Sequence, residues 1–175
     1  MKLELVLDEV DLPWSPGPDW QQRLSELVAT VSAPDLVLQV VLTDDETLQD
    51  HNRDYRGIDR PTDVLSFSYL EGHEGRGESL LPAGADLHDY LDPPAFEGDE
   101  SLAGQILVSV QTVAARGAVH TASLEQEMAF MLVHGMLHVL GFDHADAEEA
   151  AAMRAHEARL MAELSWPTGR TEDPS

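Results

Sequence analysis

The stretch MLVHGMLHVLGFDH, residues 131–144, decides how this chain is read. It sets His134 and His138 four residues apart, then Gly141, then His144. Four residues is a little over one helical turn, so on a helix the first two imidazoles share a face, roughly 6 Å apart along the axis. His144 lies ten residues beyond His134. On an unbroken helix it would be about 15 Å away and well round the cylinder. The helix has to stop before His144 if the rings are to meet. Gly141 can stop it, because glycine takes the left-handed backbone that ends helices. Three neutral imidazoles on one ion, with a fourth position open to water, form the donor set of a catalytic zinc rather than a structural one.

The spacing is that of the long zincin motif H-E-x-x-H-x-x-G-x-x-H, with Gly135 in place of the Glu. That Glu is the general base of zinc proteases, so peptide hydrolysis by that route is not expected here. Gly135 either lets something approach the ion closely or serves helix packing. His51, His73, His88, His120 and His156 follow no ligand spacing and read as surface or packing residues.

The bulk numbers narrow the classes. A chain of 175 residues suits one domain with a proper core, here taken as 1–165, followed by a disordered tail over 166–175. There are no cysteines, so disulfides and thiolate metal sites are excluded, and any metal must use His, Asp or Glu. A cytoplasmic setting fits. Neither a signal peptide nor an apolar run of membrane length is present in the sequence. Ten basic residues against 33 acidic ones give a formal charge of −23. Such a body repels nucleic acid and membranes at long range, so a nucleic-acid site has to be a local exception.

Around the histidines the chain reads as follows. KLELVLD at 2–8 alternates as a strand, and 19–32 reads as a helix with Trp20, Leu24, Leu27, Val28 and Val31 on one face. LVLQVVLT at 36–43 is a β-branched, buried strand. Thr43 and Glu46 read as a capping box opening a helix to about Tyr55, which Gly57 ends. TDVLSFSY at 62–69 and GQILVSV at 104–110 are two more strands, the second followed by a short helix to Arg116. Between those strands, 70–100 holds five Gly, three Pro and nine acids against one Arg, and reads as an acidic insertion or loop. Ser123 and Gln126 form a capping box for the histidine helix, whose apolar residues Met128, Met131, Leu132, Leu137 and Leu140 run nearly all round it. Asp146 caps a last helix to about Leu164, ended by Pro167. The expected fold is α+β: a four-stranded mixed sheet packed with about five helices, a zincin-like central metal helix against it, and the site at one rim.

A second constellation precedes the third strand. HNRDYRGIDRPTDVLSF, residues 51–67, carries Arg53, Arg56 and Arg60, three of the ten basic residues within eight positions. Cations favour helix C-termini, so a solvated helix end is one reading. The other is an anion patch, since arginine grips phosphate with two parallel hydrogen bonds and stabilises charge developing on it.

Together the two stretches resemble the YbeY-type endoribonucleases, the bacterial rRNA maturation factors. The signature H-G-x-L-H-x-x-G-x-D-H is matched by His134, Gly135, Leu137, His138, Gly141, Asp143 and His144. The block N-x-x-Y-R-G-x-D-x-P-T-D-V-L-S-F is matched from Asn52 to Phe67. The resemblance implies a zinc-dependent, single-strand-directed endoribonuclease, a hydrolase of phosphodiester bonds. It would act in maturation of the 3′ end of the 16S rRNA and in ribosome quality control, with the small ribosomal subunit or its assembly factors as partners. It makes His134, His138 and His144 the ligands of one Zn2+, and Arg56 the arginine important for activity. Arg53 and Arg60 are further phosphate-binding candidates. Where the family has Gly-Asp before its fourth strand, this chain has Gly104-Gln105.

Zinc on three histidines lowers the pKa of a bound water to about 7. With no Glu at 135 the metal alone would activate that water, Arg56 would neutralise the phosphoryl oxygens, and Asp143 would either orient an imidazole or cap the following turn. Two other functions fit parts of the pattern: a metallohydrolase of peptides or small molecules, from the zincin spacing, and a non-catalytic ribosome-assembly factor, from the charge.

Overall fold

The computed structural model describes residues 1–31, 36–69, 101–120 and 123–165. The acidic stretch at 70–100, the tail and Pro167 lie outside the described residues. Four strands, β1 (Lys2–Leu7), β2 (Leu36–Thr43), β3 (Val64–Ser68) and β4 (Ser101–Ser109), form one sheet in the order β1-β2-β4-β3. β1, β2 and β4 run parallel, and β3 lies antiparallel to β4. Five helices are described: α1 (Pro18–Val31), α2 (Asp45–Arg56), α3 (Val110–His120), α4 (Leu124–Val139) and α5 (Ala147–Glu163). The α+β expectation, with its mixed sheet and central helix, holds.

Alternation along the strands sorts the helices onto two faces. Leu38, Val40, Leu42, Ile106 and Val108 are buried in the main core with α1, α4 and α5. Leu65 and Leu107 point the other way and bury Leu48 of α2. The histidine helix α4 is buried nearly all round, from Glu127 to Val139. Trp20 ties α1 to its first turn by donating from Nε1 to the Glu125 carbonyl at 2.9 Å.

Two glycines set how closely α4 lies on the sheet. A Cβ on Gly135 would stand 2.8 Å from Cγ2 of Ile106. One on Gly104 would stand 2.5 Å from Cγ1 of Val139 and 2.6 Å from the Phe67 carbonyl oxygen. Gly135 therefore faces the sheet and serves helix packing.

Several boundaries differ from the sequence reading. Asp44, not Thr43, caps α2, accepting from the Thr47 N–H at 2.8 Å. Thr43 is still paired in β2, opposite Ser109, and its hydroxyl donates to Asp8 instead. β4 starts at Ser101 because its parallel pairing with β2 extends across a bulge at Val37/Leu38. α3 runs past Arg116 to His120: Ser109 accepts the Thr112 N–H at its start, and Val110 and Val113 sink into the core.

Candidate functional site

α4 ends in a Schellman motif. The Gly141 N–H donates to the His138 carbonyl and the Phe142 N–H to the Leu137 carbonyl, each at 3.0 Å, with Gly141 at φ 92°. Phe142 is then buried, anchoring the turn. The chain reverses there and returns His144 to the two helical histidines. Ring centroids lie 4.6 Å apart for His134–His138, 5.1 Å for His138–His144 and 5.9 Å for His134–His144. One nitrogen from each ring lies within 4.8 Å of the others, so the three could hold a metal ion.

The hydrogen bonds decide which nitrogens face inward. His134 Nδ1 is 2.7 Å from Oε1 of Glu157, and His138 Nδ1 is 2.9 Å from the Phe142 carbonyl oxygen. Both oxygens only accept, so both Nδ1 atoms carry the proton. Each neutral ring then presents a lone pair at Nε2, and these two atoms stand 3.1 Å apart. Two acceptors at that distance cannot bond each other. Tetrahedral zinc at about 2.0–2.1 Å from each ligand would hold its nitrogens about 3.3 Å apart. The donor set thus fits a divalent ion, with the exposed His144 offering the third nitrogen. Burial, then repulsion from the protons that neighbouring His134 and His144 would share with it in acid, lowers the His138 pKa to about 4, so this ring is neutral near pH 7.

The carboxylate against an imidazole is Glu157 of α5, which the sequence reading missed. It is buried at 7% exposure on a stripe with Met153, Leu160 and Met161. A glutamate at an apolar helical position was the available signal. Asp143 instead accepts from the backbone N–H of His144 at 2.8 Å, and its charge favours protonation of His138.

The arginine block forms a loop built by its own polar residues. Gly57 ends α2 at φ 68°, the left-handed conformation. Buried Asn52 donates to the Arg60 carbonyl at 2.9 Å, Gln49 donates to Asp59 at 2.8 Å, and Asp63 pairs with Arg116. Arg53 bonds Asp50 at 2.7 Å and lies 3.4 Å from Asp54. Arg56 and Arg60 are exposed and make no side-chain ion pair among the described residues. None of the three touches the imidazoles. α2 and α4 lie on opposite faces of the sheet, and both reach the edge strand β3. Tyr55 packs edge-on against Phe67 at 5.4 Å on one side, and Ser68 donates to the Val139 carbonyl at 2.8 Å on the other. Gln105 also faces away from α4, donating to Gln39 at 2.6 Å, which donates in turn to Glu4.

Comparison with known proteins adds the family. The family model described as Endoribonuclease YbeY matches residues 18–165. This chain belongs to that family. It is 40% identical over 148 residues to the endoribonuclease YbeY of Heliobacterium modesticaldum, covering 81% of each chain. It is 38% identical over 165 residues to that of Paramagnetospirillum magneticum, covering 89% of this chain and 90% of the other. The Moorella thermoacetica protein of the same name is also 38% identical, over 91% of this chain and 96% of its own. The solution structure of TM1509 from Thermotoga maritima aligns over 98% of both chains at 20% identity, with a TM-score of 0.49. The membership expected from the two motifs holds, and the family is one of enzymes. No helix among the described residues is long and apolar enough to cross a membrane.

Proposed function

We propose that this YbeY-family chain is a zinc-dependent endoribonuclease of single-stranded RNA, acting in the cytoplasm on the 3′ end of the small-subunit rRNA. The observation that carries the chemistry is the pair of Nε2 lone pairs 3.1 Å apart with His144 beside them. Bound there by His134, His138 and His144, zinc supplies Lewis acidity and an acidified water, which makes a general base at residue 135 unnecessary.

The protein's own groups do the rest. Glu157 and the Phe142 carbonyl hold two imidazoles as ligands. Arg56, exposed and with no side-chain ion pair among the described residues, offers its guanidinium to a phosphoryl oxygen of the strand, and Arg60 takes a neighbouring phosphate. Arg53 already pairs with Asp50 and Asp54, so its share is smaller. Tyr55, 69% exposed and stacked on His51 at 5.9 Å, offers a ring on which a base stacks. A single strand fits this layout because it can bend round the edge strand from arginine loop to imidazoles. The charge of −23 favours presentation of the RNA by a partner on the small ribosomal subunit over capture of free RNA.

The test is cleavage of a single-stranded RNA by zinc-replete protein, with a chelator control and the product ends mapped. Chelator-sensitive internal cuts are expected. RNA left intact while casein is digested would establish a peptide hydrolase. RNA and casein both intact, with unfolding on zinc removal, would establish a structural metal site in an assembly factor. A single 2′-deoxynucleotide at the cut separates attack by water, which persists, from attack by the 2′-OH, which stops.

A further inference from the structure

Burying a carboxylate among methionine and leucine side chains is costly unless a partner compensates it. Glu157 sits among Met153, Leu160 and Met161, and its hydrogen bond reaches 23 residues back, to Nδ1 of His134. A methionine or leucine at this position would extend the apolar stripe of α5. The position therefore serves the imidazole rather than the packing.

We infer that Glu157 is a positioning residue that locks His134 in the tautomer able to take a metal. A carboxylate can only accept, so it fixes the ring proton on Nδ1 and leaves the lone pair on Nε2, facing His138. An amide in the same place could turn and donate to Nδ1. The ring proton would then move to Nε2 and stand where the ion has to bind. The negative charge also makes the ligand nitrogen more basic, as carboxylates behind metal-bound histidines do. α5 supports the second ligand as well. His156, the neighbour of Glu157, packs its ring on Phe142 at 4.7 Å, and the Phe142 carbonyl holds Nδ1 of His138. Helix α5 is thus a clamp behind both helical ligands. This rests on the reading that the imidazoles hold a divalent ion.

The experiment measures zinc affinity by competition with a chromogenic chelator for the wild type, Glu157→Gln and, as a control on an exposed glutamate of the same helix, Glu163→Gln. In parallel, 15N spectra of the metal-free proteins report the imidazole tautomers, and thermal melts report the metal-free fold. Glu157→Gln is expected to weaken zinc binding roughly 10- to 100-fold and to turn the single Nδ1–H tautomer of His134 into a mixture. Glu163→Gln is expected to keep wild-type affinity. Wild-type affinity and tautomer in Glu157→Gln, with only the metal-free melting point lowered, would overturn the inference and leave Glu157 a packing residue. No zinc binding by the wild type would instead overturn the metal centre itself.

Discussion

The Nε2 atoms of His134 and His138 stand 3.1 Å apart, while the other nitrogen of each ring faces an acceptor oxygen. Facing lone pairs repel, and a cation between them removes the repulsion. Zinc is therefore expected to stabilise the fold, by about 2.7 kcal/mol when free zinc is 100 times its Kd. Thermal melts with zinc and with chelator check this. In His144→Ala the zinc-induced rise should vanish while the metal-free melting point stays, because that ring is exposed. A rise that survives the substitution removes His144 from the ligand set.

Acid should weaken the metal-free protein through the His138 ring. The unfolded His138 takes a proton as pH falls through 6.5, and the folded one only near 4. Between those values the unfolded state binds more protons, so stability falls with pH. It is fully present above about 6.5 and is lost as pH drops towards about 4. His156 is shifted the same way, by burial and then by Arg159, and adds to the slope. The urea midpoint should decline across that window, and a level midpoint would contradict it.

Glycine substitutions test how close the metal helix lies to the sheet. Gly104→Ala drives a methyl into Val139 and the Phe67 carbonyl, and backbone cannot swing aside. A loss of about 2–3 kcal/mol or more is expected by urea denaturation. Gly135→Ala has the Ile106 side chain as its nearest neighbour, and the gain in helix propensity of about 1 kcal/mol offsets part of the clash. It should cost less than Gly104→Ala, and the reverse order would place the close approach elsewhere.

Gly141→Ala forces a side chain onto φ 92° in the turn that returns His144. A cost of about 1–3 kcal/mol is expected, together with weaker zinc binding, since the turn aims the ligand. Unchanged zinc affinity would show that His144 finds the ion without help from the turn.

The arginines should separate by their partners. Arg56→Ala should slow RNA cleavage about 100-fold if it meets charge in the transition state, and Arg56→Lys should recover part of that. Arg53→Ala should cost much less, because Asp50 already holds that guanidinium. Equal turnover in wild type and Arg56→Ala would exclude the phosphate role.

The sequence alone determined what depends on short range. Helix period puts His134 and His138 on one face, glycine makes the turn at 141, and side-chain oxygens at Ser123 and Asp146 start the helices that follow. These outcomes follow from residues a few positions apart, and so did the β-branched strands and the family likeness. Contacts made across the chain were settled by packing. The Glu157 carboxylate reaches His134 only because α5 docks on α4, and α2 falls on the far face because Leu65 and Leu107 alternate away from Ile106. Strand pairing moved the start of β4 and kept Thr43 out of its cap. Ligand types and spacing are local properties. The proton on each ligand, and the face on which the arginines stand, depend on neighbours that only the folded chain supplies.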